Sequence, residues 1–387
     1  MADSIVLPRA HSRAISLPTI PWYLWASVIG VTSAMIGGQW DISWHRSIGR
    51  DTFWTPPHIA IYLCGIIAGI SSAYLILAPT FGKLPEVRRA SVRMWGFYGP
   101  LGAFVMAWGG VAMLASAPFD DWWHSAYGLD VKILSPPHVV LAVGVIAIQI
   151  GSRMLVLGHM NRSSVEERLR LDWLFLYLSA IILVTTQVVI MELNQRVEQH
   201  TAAFYIAVAI TAPPVLIESA WTSQRRWAAT IVAGIFTVCI ASLIWILPLF
   251  PAQPKLGPVY NPVTQFIPPA FPVLLIVPAF ALDLLRPRIA KWNVVMQALA
   301  CGAVFFGTFV AVQWPFSDFL MTPAAANGFF GTIYRDYATG ANSLEARNLF
   351  LPAERNFPAL MWIAFGTGLA TSGFGLAWGR YMQKVKR

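Results

Sequence analysis

The chain has 387 residues; 57% are hydrophobic, 12% are charged, the net charge is +9 and the mean hydropathy is +0.59. Soluble domains carry about 25% charged residues, so long soluble domains are excluded and a polytopic membrane protein is expected. The positive balance is assigned to cytoplasmic loops and not to nucleic acid. Cys64, Cys239 and Cys301 all fall in apolar runs, as small core residues outside any disulfide or thiolate cluster.

A bilayer-crossing helix needs about 20 apolar residues. Residues 1–19, carrying Arg9 and Arg13, read as a retained cytoplasmic leader. About ten spans follow, over 20–39, 58–80, 95–116, 138–158, 172–192, 202–218, 227–249, 265–284, 293–313 and 357–379. Continuous apolar runs of this length fit helices and not the alternating strands of a barrel, so the fold class is all-α. Loop cations, among them Arg88, Arg89, Arg162, Arg168, Arg225 and Arg286, collect on one side. The positive-inside rule then places both termini in the cytoplasm of a multi-pass protein of the inner (plasma) membrane. The chain divides into a membrane domain over 20–160 and a C-terminal membrane domain over 170–387 with a long outer loop at 315–357.

The first of these domains holds the same pattern twice, in units at about 20–80 and 95–158. Asp41, His45, Gly49, Asp51 and Thr55-Pro56-Pro57-His58 form one copy. Asp120, His124, Gly128, Asp130 and Ser135-Pro136-Pro137-His138 form the other. Four of the seven histidines lie in these two units, at the outer ends of their helix pairs. An Asp four residues before a His shares its helix face. Thr55 or Ser135 fits an N-cap, the first proline fits the first helical position, and the second His falls in the first turn. Each unit therefore offers two imidazoles and a carboxylate to one point, a set suited to zinc, copper or non-haem iron. Asp51 and Asp130 are expected to orient a ligand imidazole by accepting its second N–H. Ionisable groups near membrane depth are costly, which makes packing alone a poor account of them.

Elsewhere the chemistry is thinner. The Glu192–His200 stretch reads as a solvated outer loop before it reads as a third ligand set. Pro262–Pro269 reads as a helix start with Ala270 where the units carry His. Glu218 and Asp283 are expected to pair with Arg225 and Arg286.

The segment Asp41-x3-His45-x12-His58, with Arg50-Asp51-Thr52 around it, resembles the copper-site region in a copper-binding membrane component of the membrane copper monooxygenases, the particulate methane and ammonia monooxygenase family. Asp120, His124 and His138 resemble the second site of that component, with Asp120 where the family has Asn. The resemblance covers about residues 35–160. It implies copper, ahead of iron or zinc, held by Asp41, His45 and His58 and by Asp120, His124 and His138. It implies O2-dependent hydroxylation of a small apolar substrate arriving from the lipid bilayer, an external electron donor and other membrane subunits. The competing readings are a metal-handling permease, a non-catalytic subunit of a larger membrane complex, and a haem carrier with His58 and His138 as axial ligands.

Overall fold

The computed structural model describes residues 20–128, 135–338 and 354–386. Eleven α-helices make up the described fold: α1 Trp22–Ser47, α2 Pro56–Thr80, α3 Pro85–Arg89, α4 Leu101–Tyr127, α5 Pro136–Met160, α6 Val165–Val189, α7 Ala202–Thr222, α8 Ala228–Ile246, α9 Ile276–Ile289, α10 Val294–Leu320 and α11 Phe357–Met382. Eight helices are long and apolar enough to cross a membrane.

Two of the ten expected spans fall short of that standard, for different reasons. α1 is long enough, but Ser27, Thr32, Ser33 and Gln39 and its charged outer end dilute its apolar run. The span expected at 265–284 is replaced by an extended segment and the 14-residue helix α9. Prolines at 248, 251, 254, 258, 262, 268, 269 and 272 explain this, since each removes a helical donor and clashes with the preceding turn. Pro268-Pro269 therefore starts no helix. A short antiparallel hairpin, Val92–Met94 with Phe97–Gly99, also precedes α4 where a helix is expected. The outer loop begins later than predicted, because α10 continues to Leu320.

The helices pack as neighbouring hairpins. α1 lies against α2, α4 against α5, and α2 against α4. α5 and α1 join the second half through α6, and α7 lies along α11. Close approach within the first two hairpins depends on glycine. A Cβ on Gly37 of α1 would stand 2.8 Å from Ile61 N and 2.9 Å from Pro57 O of α2. A Cβ on Gly109 of α4 would stand 2.6 Å from Gly144 O of α5. Small residues at such crossings let backbones meet where lipid supplies no hydrophobic drive between helices.

Acidic groups at the opposite, basic end find different partners from those expected. Glu218 pairs with Arg153 in a buried ion pair, Arg225 lies 3.5 Å from Asp172, and Asp283 accepts from the Ala229 and Thr230 amides that start α8.

Candidate metal centre

The first cluster is built by the end of α1, the start of α2 and the turn between them. Asp41 and His45 sit one turn apart on α1, and His58 is the third residue of α2. The turn is pinned at several points. Trp44 Nε1 donates to Arg50 O at 2.9 Å, and Tyr62 Oη donates to Phe53 O at 3.1 Å. Thr55 holds the N-cap position, but its hydroxyl turns back into the loop, accepting from Thr52 N at 2.7 Å and donating to Thr52 O at 2.7 Å. Pro57 at the second helical position has no N–H, which leaves the His58 amide as the one cap donor, and the Thr55 hydroxyl takes the Thr52 backbone instead. Gly49 leaves α1 with φ +85°, and Asp51 is swung inward.

Four side chains converge as a result. His45 Nε2 lies 3.8 Å from Asp41 Oδ2 and 3.5 Å from Asp51 Oδ2. His58 Nε2 lies 3.2 Å from Asp41 Oδ1 and 3.3 Å from Asp51 Oδ2. Asp41, His45 and Asp51 form the tightest group, with donor atoms all within 4.8 Å of one another; His58 joins it through both carboxylates. Asp41, His45 and Asp51 thus offer a compact donor group to one ion, and His58 approaches both carboxylates from outside that group. Asp51 departs from its expected role. It faces the same Nε2 atoms that Asp41 faces and not an outer imidazole N–H, so it belongs to the donor set itself.

Among the described residues, buried His45 Nδ1 and His58 Nδ1 have no hydrogen-bond partner. Asp41 Oδ1 faces His58 Nε2 at 3.2 Å. Burial alone would push the Asp51 carboxyl up, but hydrogen bonding and charge from His45, with further charge from His58, bring it down to about 2. Asp51 is therefore an anion at any physiological pH.

The second cluster is more open. His124 Nε2 lies 3.4 Å from Asp120 Oδ2, and His138 Nε2 lies 3.5 Å from Asp120 Oδ1. Asp120 and His124 share a face of α4, and His138 opens α5 behind two prolines. Asp130 lies outside the described residues. Phe119, Trp122, Trp123 and Tyr127 form an aromatic group on the same helix end as Asp120 and His124. Charge passes between the clusters: His124 acts on Asp51, and Asp120 acts on His58. Tyr62, one turn along α2 from His58, feels carboxylates of both.

What packs on the end of α1 is invisible to sequence pattern. The proline-rich segment after α8 folds back against it. Ser43 Oγ donates to Ile267 O at 2.5 Å, Ile267 N donates to Ser47 Oγ at 2.7 Å, and Lys255 N donates to Ile48 O at 2.9 Å. Arg46 Nε donates to Asp336 at 2.9 Å. Ile48, Leu247, Ala252 and Phe266 close a small apolar cluster against Trp40 and Trp44. The one available signal is the proline spacing, which excludes a span.

The Glu192–His200 stretch turns inward and is no solvated loop. Gln199 is buried and accepts from Gln313 at 2.9 Å and from Ser317 at 3.0 Å. His200 Nε2 lies 2.9 Å from Asp318 Oδ1.

No protein-family model, curated protein or solved structure matches the chain.

Proposed function

We propose that the chain is a membrane metalloprotein that holds copper at Asp41, His45, His58 and Asp51, with a second site at Asp120, His124 and His138. Its activity is the O2-dependent hydroxylation of a small apolar molecule. The observation that carries the reading is the convergence of two carboxylates and two imidazoles at 3.2–3.8 Å. Grouping four ionisable side chains near membrane depth is expensive unless a cation completes them. Nitrogen and oxygen donors in this mixture suit copper, and Cu2+ heads the affinity order of the first-row divalent ions.

Bound copper would supply one-electron redox chemistry toward O2. The protein's own part is to hold and orient. The Pro56-Pro57 start fixes His58 at the mouth of α2, and Asp41 and Asp51 bring two negative charges to the cation. Apolar substrate would enter from the lipid. The balance of the reaction is RH + O2 + 2 e− + 2 H+ → ROH + H2O, so an external electron donor is needed, supplied by a partner subunit or carrier. Termini in the cytoplasm would place the clusters near the outer face.

The test is metal analysis of purified wild type, His45→Ala and His124→Ala, followed by O2 consumption with an artificial reductant. Copper should fall in each variant. Equal copper in all three would sink the proposal, and copper without reductant-dependent O2 uptake would favour a metal-handling permease.

A further inference from the structure

At the end of the bundle opposite both clusters, another site is assembled from parts that the proposed function does not use. A cavity of about 460 Å3 is lined by Tyr23 at the start of α1, by Glu86 and Arg89 of α3, by His159 and Arg162 at the end of α5, and by Lys386 beyond α11. That volume falls within the roughly 300–1,000 Å3 usual for small-ligand sites.

The walls are fixed by a specific network. Asn161 Nδ2 donates to Val385 O at 2.6 Å and to Met382 O at 3.1 Å, and Arg162 donates to Lys386 O. These bonds hold the tail against the turn between α5 and α6, which brings Lys386 to the rim. On the floor, His159 Nδ1 lies 3.2 Å from Leu155 O, and His159 Nε2 lies 3.0 Å from Tyr23 Oη. Nδ1 has only a carbonyl to bond, so it donates, and Nε2 shares a hydrogen bond with the tyrosine hydroxyl. The fixed positive charge at the cavity comes from Arg89, Arg162 and Lys386. The acidic residue in the lining is Glu86, paired with Arg89 at 2.8 Å in a solvated contact. Such surface pairs are worth about 0–1 kcal/mol and yield readily to a stronger anion.

We propose that this cavity binds a phosphate-bearing anion, and that the occupant is the headgroup of an anionic phospholipid. Depth favours the lipid. Trp22 is half exposed and packs on Tyr74 at 5.1 Å beside Tyr23, and Trp95 and Phe81 stand exposed at the same end of the bundle. Exposed Trp and Tyr at helix ends mark the level of the headgroups. Basic pockets between helix ends at that level suit anionic headgroups.

The test uses the full-length protein in neutral detergent. Short-chain phosphatidylglycerol, short-chain phosphatidylcholine and inorganic phosphate are titrated separately, with the melting midpoint and native mass spectrometry as readouts. Phosphatidylglycerol should raise the midpoint and remain bound, and phosphatidylcholine should do neither. Lys386→Gln, in the tail beyond the last helix, should weaken the response about fivefold. Arg162→Gln should abolish it, and Arg162→Lys should keep part of it. An equal response to inorganic phosphate would support the anion site with free phosphate as its source. Equal responses to the two lipids, no response to any of the three, or a wild-type response in both Lys386→Gln and Arg162→Gln would overturn it.

Discussion

Asp51 and His58 face each other at 3.3 Å across the turn that joins α1 to α2. The same Asp51 oxygen is 3.5 Å from His45. One loop carboxylate thus bridges two imidazoles that the chain brings from different helices. This defines the first cluster as a four-residue set and yields a direct prediction. A residue that only orients a ligand changes metal affinity by about 10–100-fold. Asp51→Asn should lower copper affinity by more than that range, as much as His45→Ala does, whereas a loss of only about 10–100-fold would make Asp51 an orienting residue. Equilibrium dialysis of the purified variants against a copper chelator series reads the difference.

The pH dependence of loading has a definite sign. Metal ligands must be deprotonated, so protons compete with copper at the imidazoles. Copper affinity should therefore fall steeply as pH is lowered from 7 to 5. Asp51 does not contribute to that loss by its own titration. Its carboxyl, lowered from 3.8 to about 2, contributes stability that is fully present above 3.8 and lost only as pH falls through about 2. Removing Asp51 also removes a carboxylate that favours the protonated imidazoles, so in Asp51→Asn the copper curve should lie lower and be displaced toward lower pH. An undisplaced curve would show that Asp51 is not coupled to the imidazoles.

Helix packing and metal affinity should be linked through Gly37. Its missing Cβ lets α1 approach the Pro57 carbonyl, one residue before His58. Gly37→Val would force the helices apart at that level, and overpacking of this kind typically costs about 1–3 kcal/mol. The variant should melt lower and lose copper affinity although no ligand is altered. Gly38→Val is the control, because a Cβ at Gly38 meets nothing within 4 Å. Equal behaviour of the two variants would show that the spacing of α1 and α2 does not set the donor geometry.

Part of the site is legible in the sequence, and the reasons are physical. The spacing from Asp41 to His45 is one helical turn, and a Pro-Pro pair fixes a helix start, so periodicity alone can bring Asp41, His45 and His58 together. Asp51 is visible as a residue but not as a donor. Its direction is set by the left-handed Gly49 and the bonds of Trp44, Thr55 and Tyr62, and no periodicity encodes those. The segment packed on the end of α1 reads as a span because Phe266, Ile267 and the residues after Phe271 are apolar, and that apolarity masks the proline spacing. Gln199 reads as solvated because a polar stretch between apolar runs looks so until its partners Gln313 and Ser317, on a distant helix, are known.

The two motif glycines should differ in how much they tolerate a side chain. Gly49 has φ +85° and Gly128 has φ +87°, so alanine is strained at either position. Strain of that kind costs about 1–3 kcal/mol. At Gly128 nothing lies within 4 Å of an added Cβ, and strain is the whole penalty. At Gly49 the Cβ would overlap Tyr337 Oη and fall 2.7 Å from Tyr337 Cζ, so Tyr337 must also move. Tyr337 accepts from the Tyr260 and Asn261 amides through its carbonyl, and its displacement loosens the segment packed on the end of α1. Gly49→Ala should therefore melt lower than Gly128→Ala and lose copper from the first cluster. Adding Tyr337→Ala to Gly49→Ala removes the clash but not the strain, so the double variant should recover only to about the level of Gly128→Ala. Thermal melting of the three proteins, with copper content read in parallel, decides it; a Gly49→Ala protein as stable as Gly128→Ala would show that Tyr337 does not confine the turn.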